Sequence, residues 1–171
     1  MPNSKLLLID TFALAHRAFH AFPDSLSTKR GEKTNAIYGF SSMLLQVLKQ
    51  FKPEYIICAL DSRGPTVRHE MFSKYKANRP KMDEDLATQI PKIESLIKTL
   101  NIPAISLNGY EADDIIGSTV KDPQYLDYDK IIVTGDRDLL QLVDDKTSVF
   151  LAGGAFSASK LYTHENVDGK F

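Results

Sequence analysis

The sequence has 171 residues, of which 43% are hydrophobic and 25% charged, so it is long enough for one globular domain with a real core. Its formal net charge of −1 excludes a uniformly basic polyanion-binding protein, and any nucleic-acid site must come from local segregation of charge. The chain has one cysteine, which excludes an intramolecular disulfide framework, and the Cys/His spacing of zinc sites is absent.

The apolar runs of the sequence are all short. None approaches the roughly 18 residues of a membrane span, and the run at 6–9 is too short for a signal peptide. The single cysteine, Cys58, lies inside the apolar run 55–60, which predicts a buried, inert thiol. We therefore expect a cytoplasmic protein without a membrane partner.

Five of these short runs are predicted strands. In chain order they are residues 5–9, 55–60, 102–107, 130–134 and 147–151. The first, second and fourth are almost continuously apolar, which is typical of parallel strands buried on both faces.

Segments with helical periodicity lie between the predicted strands. Apolar residues recur at three- and four-residue steps over 37–51 and 86–100, and shorter helices are predicted at 112–120 and 138–143. Pro91 should kink or restart the helix that contains it. The tail from 162 to 171 resembles the start of another helix. This alternation predicts an α/β domain with a central, mainly parallel sheet and helices on both faces.

Acidic residues follow four of the predicted strands, where each strand ends. They are Asp10, Asp61, Glu111, Asp113, Asp114, Asp136 and Asp138. The carboxyl ends of parallel strands share one edge of the sheet, which is where open α/β sheets bind ligands. We call this set of seven residues the acidic edge.

Two interpretations of the acidic edge are open. Asp and Glu favour helix N-termini, and this explains Asp10 or Asp61 taken singly. It explains the pairs at 113–114 and 136/138 poorly, because one cap needs one acceptor. Seven converging carboxylates repel one another unless cations lie among them, and the oxygen ligands suit Mg²⁺ or Mn²⁺. We favour a metal site. Two such ions support phosphodiester hydrolysis, one activating water and the other stabilising the leaving oxygen.

Residues 63–81, which we call the basic segment, carry six Lys or Arg against a single acid, Glu70. If residues 67–78 are helical, Arg68, Tyr75 and Arg79 share one face and Lys76 lies beside them. Lys and Arg contact phosphates, and Tyr stacks on bases. A solvated charged face is the alternative, but the segment starts two residues after Asp61, so a nucleic-acid role is favoured.

In order and spacing, these motifs resemble the 5′-nuclease domains of bacterial DNA polymerase I and the small bacterial 5′–3′ exonucleases, members of the flap-endonuclease family. The matching segments are 8–10 (Leu-Ile-Asp), 17–19 (Arg-Ala-Phe), 35–40 (Asn-Ala-Ile-Tyr-Gly-Phe), 68–70 (Arg-His-Glu), 75–80 (Tyr-Lys-Ala-Asn-Arg-Pro), 109–114 (Gly-Tyr-Glu-Ala-Asp-Asp) and 134–139 (Thr-Gly-Asp-Arg-Asp-Leu). Each is weak alone, and together they span nearly the whole chain.

The resemblance implies a PIN-like, three-layer domain over 1–171, with a helical arch or gateway at about 63–100 that passes a 5′ single strand. All seven residues of the acidic edge stand at the family's metal positions, for two or more Mg²⁺ or Mn²⁺ ions. Lys76 and Arg79 match the basic pair that contacts and polarises the scissile phosphate. Arg17, Arg68 and Tyr75 join that pair in binding DNA.

Glu111 and Asp113 are expected to contact metal or its waters most directly, with Asp114 supporting or bridging them. The expected substrate is DNA with a 5′ single-stranded end or flap, cut by a monomeric, nucleoid-associated enzyme. Thr11 and His16 stand where the family usually has Gly and Tyr. The chain is expected to stop before the family's helix–three-turn–helix region, in a longer protein in which a polymerase domain could follow.

Three other functions are compatible with parts of this pattern. A non-catalytic nucleic-acid-binding fragment with an incomplete metal site is the main alternative. An aspartyl-phosphate phosphatase is disfavoured because it needs a second acid at position 12, where this chain has Phe12. A PIN-type ribonuclease shares the acids but gives no reason for the Tyr-Lys-Ala-Asn-Arg segment at 75–79.

Overall fold

The structure, a computed structural model, describes residues 4–72, 75, 81–153 and 158–167. Its centre is a six-stranded sheet in the order β3-β2-β1-β4-β5-β6. The strands are β1 (Lys5–Asp10), β2 (Tyr55–Ala59), β3 (Ala104–Ile105), β4 (Asp129–Thr134), β5 (Thr147–Leu151) and β6 (Lys160–Tyr162). The first five are parallel and β6 is antiparallel to β5, which confirms the predicted mainly parallel sheet.

Five α-helices within the described residues surround the sheet. They are α1 (Thr11–Ala21), α2 (Asn35–Phe51), α3 (Val67–Met71), α4 (Glu84–Thr99) and α5 (Ala112–Lys121). Short 3₁₀ turns cover Pro123–Tyr125 and Asp138–Leu142. No described helix is long and apolar enough to cross a membrane.

Both faces of the sheet are covered, as expected for a parallel sheet. Leu7 and Ile9 of β1 point into a core shared with α1, α2 and α4. Leu6 and Leu8 point into a second core shared with α5 and the 3₁₀ turns. The domain therefore has the predicted three layers, and Cys58 is fully buried in the first core, as predicted.

Several element boundaries differ from the predictions. The strand predicted at 102–107 is reduced to two residues, since it contains Pro103, which has no amide hydrogen for the ladder. The helix predicted at 138–143 is a 3₁₀ turn. A helix over 67–78 is one prediction for the basic segment, but α3 ends at Met71. Residues 73–74 and 76–80 lie outside the described residues.

Two further differences concern α4 and the chain's last described part. Helix α4 is continuous through Pro91, so it does not restart there. Pro91 is solvent-exposed, so the carbonyl that loses its helical partner is accessible to water. Residues 160–162 form β6. A strand of three residues is too short to show an alternating hydrophobic pattern, so the sequence does not predict it. The chain then turns at 163–166, and the rest of the predicted tail helix lies outside the described residues.

A buried polar contact fixes how α2 starts. The side chain of Gln89, fully buried on α4, accepts hydrogen bonds from the backbone amides of Ala36 and Ile37 at 2.9 and 3.2 Å. Its amide nitrogen donates to Asn35 Oδ1 at 3.0 Å. The first-turn amides of α2 have no partner within the helix, so α4 supplies the cap.

Candidate active site at the carboxyl edge of the sheet

Asp10 is the last residue of β1 and the N-cap of α1. Its Oδ1 accepts a hydrogen bond from the Ala13 amide at 3.1 Å, and its Oδ2 accepts one from the Thr134 hydroxyl at 2.7 Å. Asp10 is only 4% exposed. Asp10 is therefore a helix cap, as one of the two interpretations predicts. A capping role alone does not require the carboxylate to be buried or to accept a second hydrogen bond.

Burial shapes the electrostatics of Asp10. Desolvation, together with the nearby charges of Asp113 and Asp61, raises the pKa of this carboxyl to about 7. The hydrogen bonds from Thr134 and Ala13 oppose the shift because they favour the charged form. Asp61 and Asp113, which come after two other strands, thus lie close enough to Asp10 for their charges to act on it.

Asp61 follows β2 and reaches across to α5. Its Oδ1 accepts a hydrogen bond from the Ala112 amide, at the first residue of α5, at 2.9 Å. This contact fixes the N-terminus of α5 beside the end of β2, so Asp61 also has a capping role.

The two acids after β4 are arranged by a hydroxyl and a turn. The Asp136 amide donates to Thr134 Oγ1 at 2.9 Å, and Asp136 Oδ1 accepts from the Asp138 amide at 2.9 Å. Asp138 is exposed. Thr134 was not among the predicted site residues, although it ends a buried strand two residues before Asp136, which is the available sequence signal.

Glu111 and Asp114 form a capping box at the start of α5. The Glu111 amide donates to Asp114 Oδ2 at 2.9 Å, and the Glu111 side chain accepts from the amide of Asp114. Glu111 is 7% exposed. Glu111 and Asp114 therefore cap the start of α5 reciprocally. The third acid of this cluster, Asp113, lies where its charge raises the pKa of Asp10.

Two residues of the basic segment contact this capping box. The Arg68 guanidinium donates to both oxygens of Asp114 at 2.6 and 2.8 Å and to Glu111 Oε2 at 3.1 Å. The Tyr75 hydroxyl donates to Glu111 Oε2 at 3.0 Å, and the guanidinium lies 6.0 Å from the Tyr75 ring centroid. The predicted proximity of the basic segment and the acidic edge is thus present in the structure.

The other predicted nucleic-acid-binding residues are placed differently. Arg17 lies on α1, and its Nε donates to the Ala152 carbonyl just after β5 at 3.0 Å, so its position is fixed by the fold. Lys76 and Arg79 lie outside the described residues.

The donor set of the acidic edge fits a hard divalent cation in its chemistry. All seven side chains offer carboxylate oxygens, and the repulsion around Asp10 is what a bound cation relieves. As the side chains of the described residues stand, no three His, Cys, Asp or Glu groups form a ready cage for one ion. Mg²⁺ keeps several of its waters, so it does not require an all-protein cage.

A cavity of about 480 Å³ adjoins the acidic edge at Asp61. It lies between the start of α1 and α4, and its lining is mostly apolar, including Phe12, Leu60 and Ile90. The acidic edge therefore borders a sheltered apolar surface.

Residues 5–171 match the family described as 5′-3′ exonuclease, N-terminal resolvase-like domain. The chain is 43% identical over 169 residues to DNA polymerase I of Caldicellulosiruptor bescii and 39% identical over 169 residues to that of Bacillus subtilis. These alignments cover 98% and 99% of this chain but 20% and 19% of the relatives. The chain thus spans about a fifth of the length of the curated relatives it matches.

Solved structures share the fold. The bacteriophage T5 D15 protein co-crystallised with metal ions superposes with a TM-score of 0.72 at 24% identity, covering 93% of this chain and 58% of that one. The T5 5′-exonuclease with bound zinc gives 0.69 at 23% identity, covering 93% and 58%.

The chain belongs to the 5′-3′ exonuclease N-terminal, resolvase-like family. This membership confirms the resemblance drawn from the sequence motifs and places the chain among nucleases, which hydrolyse phosphodiesters.

Proposed function

We propose that this chain is the nuclease unit of a DNA polymerase I-type protein and hydrolyses DNA phosphodiesters at a 5′ single-stranded end or flap. The observation that carries the proposal is the convergence of Asp10, Asp61 and Asp113 at the carboxyl edge of the sheet. Arg68 and Tyr75, from the segment predicted to contact DNA, hydrogen-bond to Asp114 and Glu111 of the same acidic edge.

The acidic edge is the proposed place of two or more Mg²⁺ or Mn²⁺ ions. Bound there, they would supply water activation and stabilisation of the leaving oxygen. The structural neighbours named above were crystallised with metal ions, which supports divalent-cation use. The seven carboxylates of the acidic edge would hold the ions, and Thr134 fixes the orientation of Asp10.

The protein's own residues have separable tasks in this proposal. Arg68 and Tyr75, with Lys76 and Arg79 of the same segment, would bind and orient the 5′ strand through its phosphates and bases. The buried position of Asp10 excludes water from one side of the site and strengthens its interaction with a cation.

The test is cleavage of a labelled 5′-flap DNA by the gene product that contains this chain, with Mg²⁺, Mn²⁺ or EDTA. We expect cleavage only with the divalent cation, and a loss of at least about 100-fold in kcat for Asp113→Asn and Asp136→Asn, since each removes a charge from the acidic edge. Asp145→Asn is the matched control, because Asp145 is 89% exposed and pairs with His164 away from this edge. Wild-type rates in Asp136→Asn would refute the assignment of the acidic edge.

One observation favours the alternative of a non-catalytic nucleic-acid-binding unit. The carboxylates of the described residues do not close around a single point. Under that alternative, single-stranded DNA binding is salt-sensitive, survives EDTA, and is accompanied by no cleavage with either cation.

A further inference from the structure

Arg68 is bound to the acids of α5 by a fork of hydrogen bonds. Its Nη2 lies 2.6 Å from Asp114 Oδ1, and its Nη1 lies 2.8 Å from Asp114 Oδ2 and 3.1 Å from Glu111 Oε2. Such bidentate, charge-assisted pairs are the strongest hydrogen bonds between side chains. Arg68, predicted from the sequence to bind DNA, therefore serves as a counter-ion of the acidic edge in this structure.

These contacts use oxygen atoms that a divalent cation would also need. Asp114 Oδ2 accepts from the Glu111 amide as well as from Arg68. Glu111 Oε2 accepts from the Tyr75 hydroxyl as well as from Arg68. A guanidinium and a divalent ion are both positive and cannot occupy the same face of these carboxylates, so the two compete.

The acidic edge is consequently divided into two groups. Glu111 and Asp114 have their charge offset by Arg68. Asp61 and Asp113 instead lie where they raise the pKa of Asp10. A divalent cation would therefore be attracted first to Asp61 and Asp113, because Arg68 already neutralises Glu111 and Asp114.

Apart from these hydrogen bonds, little holds Arg68 in place. Its side chain is 38% exposed, whereas that of Glu111 is 9% exposed. Helix α3, which carries Arg68, has five residues and none of them is buried. Local opening requires little energy where few apolar contacts are lost, so the guanidinium can be released into the mouth of the site.

We propose that Arg68 is a displaceable internal cation: it neutralises Glu111 and Asp114 until a divalent cation takes these carboxylates, and the freed guanidinium then contacts a DNA phosphate. This inference rests on the proposed function and deepens it. It couples cation binding to DNA binding through one residue, so that each favours the other, as linkage requires.

The first experiment titrates Ca²⁺ into the gene product that contains this chain and measures its affinity by calorimetry. In Arg68→Gln, Ca²⁺ affinity should rise by roughly tenfold, the scale of one charge-assisted hydrogen-bonded contact. The Ca²⁺ affinity of Arg68→Lys, which keeps the charge but not the forked hydrogen bonds, should lie between those of wild type and Arg68→Gln. Lys146→Gln is the control, because Lys146 pairs with Asp129 at the start of β4, at the opposite edge of the sheet. Its affinity should equal that of wild type.

The competing explanation is that Arg68 only positions the two carboxylates, and it predicts the opposite sign. Unchanged or weaker Ca²⁺ binding in Arg68→Gln, with circular dichroism showing the variant folded, overturns the proposal.

A second readout follows the release itself. We expect the release of Arg68 to loosen α3 from the rest of the domain. Hydrogen exchange at the Val67 amide, which bonds to the Gly109 carbonyl, should therefore quicken when Ca²⁺ is added to wild type. In Arg68→Gln the exchange should be fast already and insensitive to Ca²⁺. No Ca²⁺ effect in wild type overturns the inference even if the flap is cleaved. Exchange that responds to Ca²⁺ without cleavage under Mg²⁺ or Mn²⁺ overturns the proposed function instead.

Discussion

The Thr134 hydroxyl donates a 2.7 Å hydrogen bond to the Asp10 carboxylate, and so joins the carboxyl ends of the two central strands, β4 and β1. Thr134 is fully buried and Asp10 is 4% exposed. Because the same hydroxyl accepts from the Asp136 amide, one side chain orients acids that follow two different strands.

Thr134→Val removes this hydroxyl while keeping the side-chain shape. We expect the free energy of unfolding to fall by about 1–3 kcal/mol, because the buried Asp10 oxygen and the Asp136 amide both lose a partner. Urea denaturation checks this. Thr99→Val is the control, since the exposed Thr99 hydroxyl bonds to the Ser95 carbonyl of its own helix, and its effect should stay within about 0.5 kcal/mol. Equal losses in both variants would contradict a special role for Thr134.

Asp10 makes stability depend on pH when no divalent cation is present. Its folded-state pKa of about 7 lies above the ordinary value of 3.8, so the folded protein binds this proton more tightly than the unfolded chain. The contribution to stability is complete below about pH 4 and is lost as the pH rises to about 7.

Asp10→Asn, which is neutral at every pH, should therefore become more stable relative to wild type as the pH rises from 4 to 7, with the difference levelling off above 7. Chemical denaturation in EDTA across this range measures it. Added Mg²⁺ should stabilise wild type more than Asp10→Asn. Asp24→Asn, at an exposed position, should show neither trend, and a pH-independent difference for Asp10→Asn would contradict the burial effect.

Gln89→Leu should destabilise the protein by about 3 kcal/mol, because the buried amides of Ala36 and Ile37 lose their acceptor and Asn35 loses its donor. Gln50→Leu is the matched control at an exposed position of α2. The two changes should differ clearly in thermal and urea unfolding, and similar midpoints would show that α2 does not depend on the cap from α4.

Gly39 lies where α1 and α2 approach closely. A Cβ atom there would be 2.5 Å from a ring carbon of Phe22 and 2.8 Å from the Ala18 Cβ, so Gly39→Ala should cost about 1–3 kcal/mol through overpacking. Gly117→Ala, also in a helix but with nothing within 4 Å of its Cβ position, should stabilise by about 0.5–1 kcal/mol. Opposite signs in the two unfolding free energies are the expected result.

The sequence by itself determined the layered α/β architecture and the acids of the site. Buried parallel strands read as nearly continuous apolar runs, and acids directly after such strands must share one edge of the sheet. Both properties depend on short stretches of chain. They were therefore predictable for β1, β2 and β4 and for the acids that follow these strands.

Only the tertiary structure decided which residues distant in sequence bond to one another. The Gln89 cap, the Thr134 link to Asp10 and the β5–β6 pairing join residues far apart in sequence, and no periodic pattern records such contacts. The same holds for Arg68. Its charge predicted a phosphate contact, but the fold places its guanidinium on Asp114 and Glu111, because half-buried carboxylates attract the nearest cation that the chain can supply.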